Sequence, residues 1–239
     1  PLEGTSITAK GGENALSVLA IGEEGSFLHA PDIYMKKIAY GYKYEDLEIN
    51  IDDSPGKIIK EFSNFSKIRE ENIVVCILDR PRHEELIKQV RSTGARIKLI
   101  PDGDVSAVIA TSIDDSGIDI YMGVGGSPEG VLAAAALRCL GGKIYTKLIY
   151  EDDKSFERAK KMGVNDRNQV FKTNDLAKGD VMFSATGVTD GTLLKGVRIN
   201  KDDAYTHSVV MRSETSTIRY INAKHNLNIK KYKSYFKYP

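Results

Sequence analysis

The sequence predicts a layered α/β fold. Two observations support this prediction: short continuous apolar runs that are typical of buried strands, and intervening segments whose apolar residues recur at helical spacing. From residue 73 to about residue 162, the two kinds of segment alternate. Alternating strands and helices pack as layers around a shared core. The 239 residues are enough to bury a large core, in one domain or in two.

The elements before residue 73 are predicted from shorter patterns. The apolar run at 14–21 predicts a buried strand, and residues 26–29 are expected to return as a short strand after a turn. Pro31 is expected to open a short helical segment through Lys37. In residues 52–70 a loop is followed by a helix, since the apolar side chains fall on one helical face: Ile58, Ile59, Phe62 and Phe65.

The alternating region and the C-terminal part supply the remaining elements. Strands are expected at 73–78, 97–100, 118–124 and 145–149, and helices from about residue 82 and at 105–111, 128–140 and 152–162. Later strands are expected at 181–185, 206–212 and 216–221, of which the last two form a hairpin around residues 213–215. The basic, aromatic-rich residues 230–239 are interpreted as a terminal extension.

Composition argues against several classes of partner. The chain contains 34 Lys and Arg against 33 Asp and Glu, a net charge of +1, so neither nucleic acid nor an anionic membrane is an expected partner. The sequence has no apolar run of about 18 residues, which a membrane-spanning helix needs. Cys76 and Cys139 both lie in apolar runs and are expected to be buried free thiols, which suits a reducing cytoplasm.

The first six residues bring together a carboxylate, a glycine and two hydroxyl groups. Carboxylate oxygens are the ligands that hard divalent cations prefer, and phosphate is bound by backbone N–H groups and hydroxyls. Glu3 is therefore a candidate metal ligand. The amides of Gly4 and Thr5 are candidates for binding phosphate, and the Thr5 hydroxyl is a candidate for orienting the attacking water. For Ser6, the sequence favours a role in the site no more than it favours the absence of one.

A pair of arginines follows the predicted strand at 73–78. Arg80 and Arg82 flank Pro81, which fixes the backbone between them. Paired guanidinium groups match the geometry of phosphate with bidentate hydrogen bonds. The second, non-reacting phosphate of a bisphosphate is the natural ligand for such a pair. His83 beside them is interpreted as a structural hydrogen-bonding residue rather than a general acid.

Carboxylates also occur where predicted strands give way to predicted helices. Asp102 and Asp104 flank Gly103, and their carboxylates could accept hydrogen bonds from sugar hydroxyls. A turn with a helix cap explains this spacing about as well. Glu129 lies at the start of the predicted helix 128–140, where the helix dipole favours a carboxylate even without a metal.

Several motifs, in a fixed order, resemble one known family. The hexapeptide Pro1-Leu2-Glu3-Gly4-Thr5-Ser6 resembles the Asp-Pro-Leu/Ile-Asp/Glu-Gly-Thr/Ser signature of the metal-dependent, lithium-sensitive sugar and inositol phosphatases. The motifs at 8–15, 30–35, 81–83, 101–104, 123–130 and 184–191 make the chain look like the class II fructose-1,6-bisphosphatases, from residue 1 to about residue 226.

The resemblance implies an α-β-α-β-α sandwich of the sugar-phosphatase type, with mixed sheets. Residues 1–78 are expected to belong to an N-terminal domain that binds metal and phosphate, and residues 79–239 to form a C-terminal α/β domain that binds substrate. The signature Asp of the family would immediately precede Pro1, and further acidic ligands would lie upstream. The chain is therefore expected to be N-terminally incomplete.

The resemblance also implies roles for individual residues. Glu3 and Glu129 are expected to bind the metal, Mg²⁺ or Mn²⁺, and so to converge from distant parts of the chain. Tyr34 is expected to donate to the non-reacting phosphate, together with the loop of Arg80, Pro81 and Arg82. The remaining implied substrate contacts are Gly4, Thr5, Asp102, Gly103, Asp104 and Gly126.

These observations predict a metal-dependent phosphatase that converts fructose 1,6-bisphosphate to fructose 6-phosphate in gluconeogenesis. It is expected to act in the cytoplasm as a homo-oligomer, a dimer or a tetramer. Sedoheptulose 1,7-bisphosphate is the alternative substrate, alone or as a second specificity. An inositol monophosphatase is less expected, because a monophosphate does not need Arg80 and Arg82 as a second clamp. A non-catalytic sugar-phosphate-binding subunit is the alternative outside enzymes.

Overall fold

The computed structural model describes residues 2–228. Within them the strands are β1 (Leu2–Glu3), β2 (Leu16–Gly22), β3 (Tyr34–Tyr40), β4 (Val74–Leu78), β5 (Arg96–Ile100), β6 (Ile120–Gly126), β7 (Lys143–Leu148), β8 (Val170–Lys172), β9 (Val181–Gly187), β10 (Arg198–Ile199), β11 (Asp203–Arg212) and β12 (Thr217–Asn226). The α-helices are α1 (Thr5–Lys10), α2 (Pro55–Ser66), α3 (Glu84–Ser92), α4 (Asp104–Ala110), α5 (Ser127–Leu140), α6 (Asp153–Lys161) and α7 (Thr173–Leu176).

The described strands form two six-stranded sheets. The first has the order β1-β2-β9-β11-β10, with β12 also paired to β11, and its pairs are antiparallel. The second has the order β5-β4-β6-β3-β7-β8. In it β4 is parallel to β5 and β6, whereas β3 is antiparallel to both β6 and β7. The second sheet is therefore mixed, as the sequence predicts.

Helix α5 lies between the two sheets. It contacts β2, β9 and β11 of the first sheet and β3, β6 and β7 of the second. The four consecutive alanines from Ala133 to Ala136 are all buried. Because these side chains are small, both sheets can approach the helix closely. This helix also carries Glu129 in its first turn, at the level where β6 ends.

The opposite face of the second sheet is covered by α2 and α3. Ile58, Ile59 and Phe62 of α2 are buried in a cluster that contains alternate residues of β4 and β6. Phe65 is 43% exposed and so does not share this buried face, contrary to the prediction. The described residues thus stack as sheet, helices, sheet and helices, which matches four consecutive layers of the predicted sandwich.

Most predicted elements are confirmed, with ends shifted by a few residues. The predicted helical segment from Pro31 through Lys37 is wrong, because residues 34–40 form β3, which is hydrogen-bonded on both sides. The predicted strand at 26–29 is also wrong, since this segment contributes only an isolated bridge from Phe27 to Ala177. Helices α1 and α7 and the short strand β8 were not predicted.

Strands from both sides of residue 78 occur in each sheet. The division into a metal-binding part up to residue 78 and a substrate-binding part beyond it stays a prediction about function. Cys76 and Cys139 are buried free thiols, as predicted. None of the helices in residues 2–228 combines the length and the apolar character that crossing a membrane requires. The predicted terminal extension at 230–239 lies outside the described residues.

Candidate active site

Three chain segments that are distant in sequence meet beside the end of β6. Glu3 ends β1, Asp104 opens α4 and Glu129 lies in the first turn of α5. The backbone N–H of Val105 donates to Oε1 of Glu3 at 3.4 Å. Glu3 is therefore held at the N-terminal end of α4, 102 positions away in sequence. Tertiary structure thus gathers carboxylates that the sequence predicted separately.

The environment of Glu3 is strongly unfavourable for a free negative charge. Burial raises the pKa of the Glu3 carboxyl to about 8, and the negative charges of Asp104 and Glu129 act in the same direction. The Val105 N–H, whose effect exceeds that of Glu129, and the Lys37 ammonium lower this pKa, but the net shift stays upward. Glu129 is thus near enough to Glu3 to contribute to the shift. That these two carboxylates converge on a shared metal ion stays a prediction.

The glycines at the end of β6 leave space for two of these carboxylates. A methyl carbon at Gly126 would lie 2.1 Å from Oε2 of Glu129, and one at Gly125 would lie 2.2 Å from Oδ2 of Asp104. No real Cβ atom approaches another atom so closely. The close packing of Asp104 and Glu129 against the strand therefore requires glycine at both positions.

Asp104 is buried and has a buried partner. The Lys37 ammonium lies 2.6 Å from Oδ2 of Asp104, and the two side chains are 1% and 8% exposed. Neither Glu3 nor Glu129 has an ion-pair partner within residues 2–228. Of the three carboxylates, only Asp104 is thus directly balanced by a cation of the protein.

The donor chemistry of Glu3 and Glu129 fits a hard divalent cation, which prefers carboxylate oxygen. A cation would also relieve the repulsion that raises the pKa of Glu3. Among the described residues, no three His, Cys, Asp or Glu side chains are arranged as a complete metal site. Glu3 and Glu129 would therefore be only part of a ligand set, and other oxygen donors would complete it.

Gly4 and Thr5 connect the metal-ligand candidate to α1. Gly4 is buried and has φ 85°, and a Cβ there would meet Cδ1 of Ile7 at 3.1 Å. Gly4 is the residue before the helix and Thr5 is its first residue, without a side-chain cap bond. The Thr5 hydroxyl is therefore not used for capping, which was the structural alternative. Thr5 and Ser6 are both exposed beside Glu3.

Arg82 and Tyr34 form a second group on the edge of the site. The Arg82 guanidinium stacks on the Tyr34 ring at 4.8 Å, and its Nε and Nη2 donate to the carbonyl oxygen of Val124 at 3.0 and 2.8 Å. Both side chains are exposed. Arg80 turns towards Asp102 instead, with Nη2 3.8 Å from Oδ1. The structure thus brings Arg82 and Tyr34 together and places Arg80 with Asp102.

The two aspartates around Gly103, at the start of α4, have different surroundings. Asp102 is partly exposed, and its Oδ1 accepts from the backbone N–H of Gly103 at 3.0 Å. Gly103, with φ 82°, is the N-cap of α4, so neither aspartate supplies a side-chain cap bond. The helix-cap alternative therefore does not account for these carboxylates, and their contact with sugar stays a prediction.

His83 is a structural residue, as predicted. Its Nδ1 donates to the carbonyl oxygen of Leu78 at 2.7 Å, while its Nε2 accepts from the backbone N–H of Val124 at 2.8 Å. This pattern fixes a neutral imidazole, and burial lowers its pKa. His83 thereby ties the Arg80–Arg82 loop to β6.

Two residues near the carboxylates escaped the prediction. Lys37 was assigned to a helical segment that does not exist, and Tyr121 was read only as part of an apolar strand. Alternation along β3 is the signal that would have placed Lys37 on the inner face of the sheet. Tyr121 carries no comparable signal, because an aromatic residue in a buried strand is ordinary.

The layered α/β fold and the three carboxylates near the end of β6 are consistent with a metal-dependent phosphatase. The family model of the bacterial, glpX-encoded fructose-1,6-bisphosphatases matches residues 1–225. The chain belongs to this family. It is accordingly a phosphoric monoester hydrolase that converts fructose 1,6-bisphosphate to fructose 6-phosphate, the gluconeogenic step predicted from the sequence.

Curated relatives agree with this assignment. Proteins named D-fructose 1,6-bisphosphatase class 2/sedoheptulose 1,7-bisphosphatase from a Synechococcus, a Synechocystis and Trichodesmium erythraeum are each 40% identical to the chain. Each alignment covers 94% of this chain and 68–69% of the relative. The enzyme interpretation is confirmed, and the alternative of a non-catalytic binding subunit is not supported.

Proposed function

We propose that Glu3 and Glu129 bind the divalent metal, Mg²⁺ or Mn²⁺, at which the 1-phosphate of fructose 1,6-bisphosphate is hydrolysed. The observation that supports this is the position of Glu3, which the Val105 N–H holds at the start of α4 at 3.4 Å and which has no ion-pair partner within the described residues; burial and the charges of Asp104 and Glu129 raise its pKa to about 8. A bound divalent ion supplies charge neutralisation at the phosphoryl oxygens and at the leaving oxygen. Both metals take carboxylate oxygen, so the ligand chemistry fits either.

The hydroxyl of Thr5 is proposed to orient the attacking water. Thr5 is exposed and directly follows Gly4, whose left-handed conformation turns the chain from Glu3 into α1. The Thr5 hydroxyl can accept a hydrogen bond from the water and so hold the water oxygen towards phosphorus. The amides of Gly4 and Thr5 are proposed to meet the reacting phosphate, and Gly126 to contact the substrate beside Glu129.

The non-reacting phosphate is proposed to bind at Tyr34 and the arginine loop. Arg82 uses Nε and Nη2 on the Val124 carbonyl, and its guanidinium stacks on Tyr34. The guanidinium has five N–H donors, so donors remain for a phosphate. Arg80, braced by Pro81, would add a second guanidinium, while Asp102, Gly103 and Asp104 would receive the sugar between the two phosphates.

Sedoheptulose 1,7-bisphosphate is proposed as a second substrate. The relatives carry both bisphosphatase activities in their names. Because the distal phosphate is held by the exposed side chains of Tyr34 and Arg82, a sugar longer by one carbon would still reach them. We further propose that the enzyme acts in the cytoplasm as a homo-oligomer, a dimer or a tetramer.

The metal assignment is tested by phosphate release from fructose 1,6-bisphosphate with Mg²⁺ or Mn²⁺. Glu3→Gln and Glu129→Gln keep the shape of each side chain but remove the charge, and each is expected to lower kcat at least about 100-fold. Glu151→Gln, an exposed glutamate outside the site, is the matched control. Wild-type rates and unchanged metal dependence in both site variants would remove these residues from the metal site. Sedoheptulose bisphosphate and an inositol phosphate complete the substrate panel.

A further inference from the structure

A buried lysine is a rare feature that needs an explanation. Lys37 is 1% exposed, in the middle of β3, which is paired to β6 on one side and to β7 on the other. An ammonium group is stable in such a position only when it is paired. Its partner, Asp104, lies 67 positions away in sequence, at the start of α4.

The alternation of β3 explains why Lys37 points into the site. Successive side chains of a strand point to opposite faces of the sheet. Lys36 lies on the other face of the sheet, the side of α2, where its Nζ donates to the carbonyl oxygen of Ile51 at 2.6 Å. Lys37 therefore faces inwards, on the side of α4 and α5, opposite Gly123 in the strand register. The two neighbouring lysines thus serve different sides of the molecule.

The surroundings of Lys37 leave it little freedom to move. A methyl carbon at Gly130 would lie 3.3 Å from its Cε, and one at Gly125 would lie 3.1 Å from its Nζ and 2.2 Å from Oδ2 of Asp104. The ion pair is therefore packed directly against the backbone of β6 and α5. Only one oxygen of Asp104, Oδ2, is engaged by the ammonium.

We propose that Lys37 is a positioning residue for the reaction: its ammonium fixes one oxygen of the Asp104 carboxylate, so that the other oxygen is aimed at a hydroxyl of the bound sugar. This inference rests on the proposed contact of Asp104 with the sugar. Lys37 itself does not touch the reacting atoms. It acts through Asp104, and the substrate class that needs such a fixed acceptor is a polyhydroxylated sugar phosphate.

Tyr121 provides a second, independent observation. Residues 121, 123 and 125 of β6 share the inner face of the sheet, and the Tyr121 hydroxyl would lie 3.2 Å from a methyl carbon at Gly123. The hydroxyl is buried and has no hydrogen-bond partner within residues 2–228. The inner face around Lys37 and Asp104 therefore includes a buried hydroxyl whose hydrogen-bonding capacity is unused within the described residues.

The test measures KM and kcat for fructose 1,6-bisphosphate in the intact enzyme, together with chemical unfolding. Lys37→Met keeps the length of the stem and removes the charge, and Asp104→Asn removes the partner charge. The double variant avoids an unpaired buried charge, so it remains measurable if Lys37→Met unfolds. Lys147→Met is the matched control, because it removes a lysine that lies 3.0 Å from Asp52, elsewhere on the same sheet.

We expect Lys37→Met and Asp104→Asn each to raise KM about tenfold or more, with a smaller change in kcat. The double variant is expected to be no worse than Asp104→Asn, because both changes act on one contact. A raised KM in Asp104→Asn with a normal KM in Lys37→Met would overturn the inference and leave the sugar contact standing. A normal KM in Asp104→Asn would overturn both the contact and the inference. Wild-type metal dependence in Glu3→Gln, measured separately, would refute the proposed metal site instead.

Discussion

Replacing Gly126 by alanine should move one carboxylate and little else. The new methyl carbon would lie 2.1 Å from Oε2 and 3.0 Å from Cδ of Glu129. A carbon and a carboxylate oxygen pack at about 3.4 Å or more, so the Glu129 carboxylate must retreat by about 1 Å. The clash involves the far end of a flexible side chain, which can rotate away. The backbone of Gly126, with φ −62° and ψ 143°, is open to alanine.

The expected changes in stability and activity follow from the movable Glu129 side chain and from a Gly126 backbone that alanine can adopt. Alanine lowers the entropy of the unfolded chain, which stabilises by about 0.4–1 kcal/mol, and an off-rotamer Glu129 costs about 0.5–1.5 kcal/mol. The free energy of unfolding should therefore change by less than about 1 kcal/mol. Activity should fall much further, because displacement of a catalytic group by about 1 Å costs roughly 100-fold in rate.

The assay is phosphate release from fructose 1,6-bisphosphate, with the Mn²⁺ concentration varied at saturating substrate. If Glu129 is the displaced group, the Mn²⁺ concentration for half-maximal activity rises, whereas a lost substrate contact at Gly126 raises KM. Gly56→Ala in α2 is the control, since its methyl carbon would meet only Cγ2 of Thr93 at 3.5 Å. Activity within about twofold of wild type in Gly126→Ala would refute the reasoning.

The remaining predictions concern Arg82, Tyr121 and His83. Arg82→Ala should raise KM about 10- to 100-fold with kcat little changed, because a spectator phosphate is bound alike in the ground and transition states; steady-state kinetics would contradict this by showing an isolated fall in kcat. Tyr121→Phe should raise the free energy of unfolding by about 1 kcal/mol, since it removes a buried hydroxyl without a partner in residues 2–228; a loss of stability on chemical unfolding would reveal an unseen partner. Burial holds the pKa of His83 below its ordinary value near 6.5, so below that pH the unfolded chain takes up a proton that the folded chain refuses. The stability that wild type gains over His83→Gln should therefore be complete above about pH 6.5 and shrink as the pH falls, and a pH-independent difference between the two unfolding curves would refute the assignment.

The layered alternation was predictable because it depends on local patterns. Strand β4 is a continuous apolar run, and α2 repeats its apolar residues at helical spacing, so each can be recognised without its neighbours. Strand β3 could not be recognised in this way. Its two central lysines look like a solvated segment, and only pairing with β6 and β7 on both sides makes the strand stable. The prediction at 31–37 failed because long-range pairing outweighed local propensity.

In the site, too, some features were predictable from the sequence and others were not. Glu3, Asp104 and Glu129 were singled out because carboxylates beside glycines are informative in sequence, and Arg82 because it flanks a proline. Their mutual arrangement was not predictable from spacing. Arg80 illustrates this limit, since it lies near Asp102 and not beside Arg82 on Tyr34. Lys37 illustrates it further, because its ion-pair partner is an aspartate 67 positions away.

The charges around the three carboxylates of the site indicate that these groups have different roles. Asp104 has a cation of the protein at 2.6 Å, which holds its carboxylate in place without any metal. Glu3 accepts a backbone N–H bond and feels the Lys37 ammonium only at a distance, while burial and two negative neighbours raise its pKa to about 8, so a bound cation would stabilise its charge. A protein that used all three groups as metal ligands would gain nothing by neutralising one of them with a buried lysine. In the proposed site, the placement of Lys37 therefore separates the carboxylate assigned to the sugar, Asp104, from the pair assigned to the metal, Glu3 and Glu129.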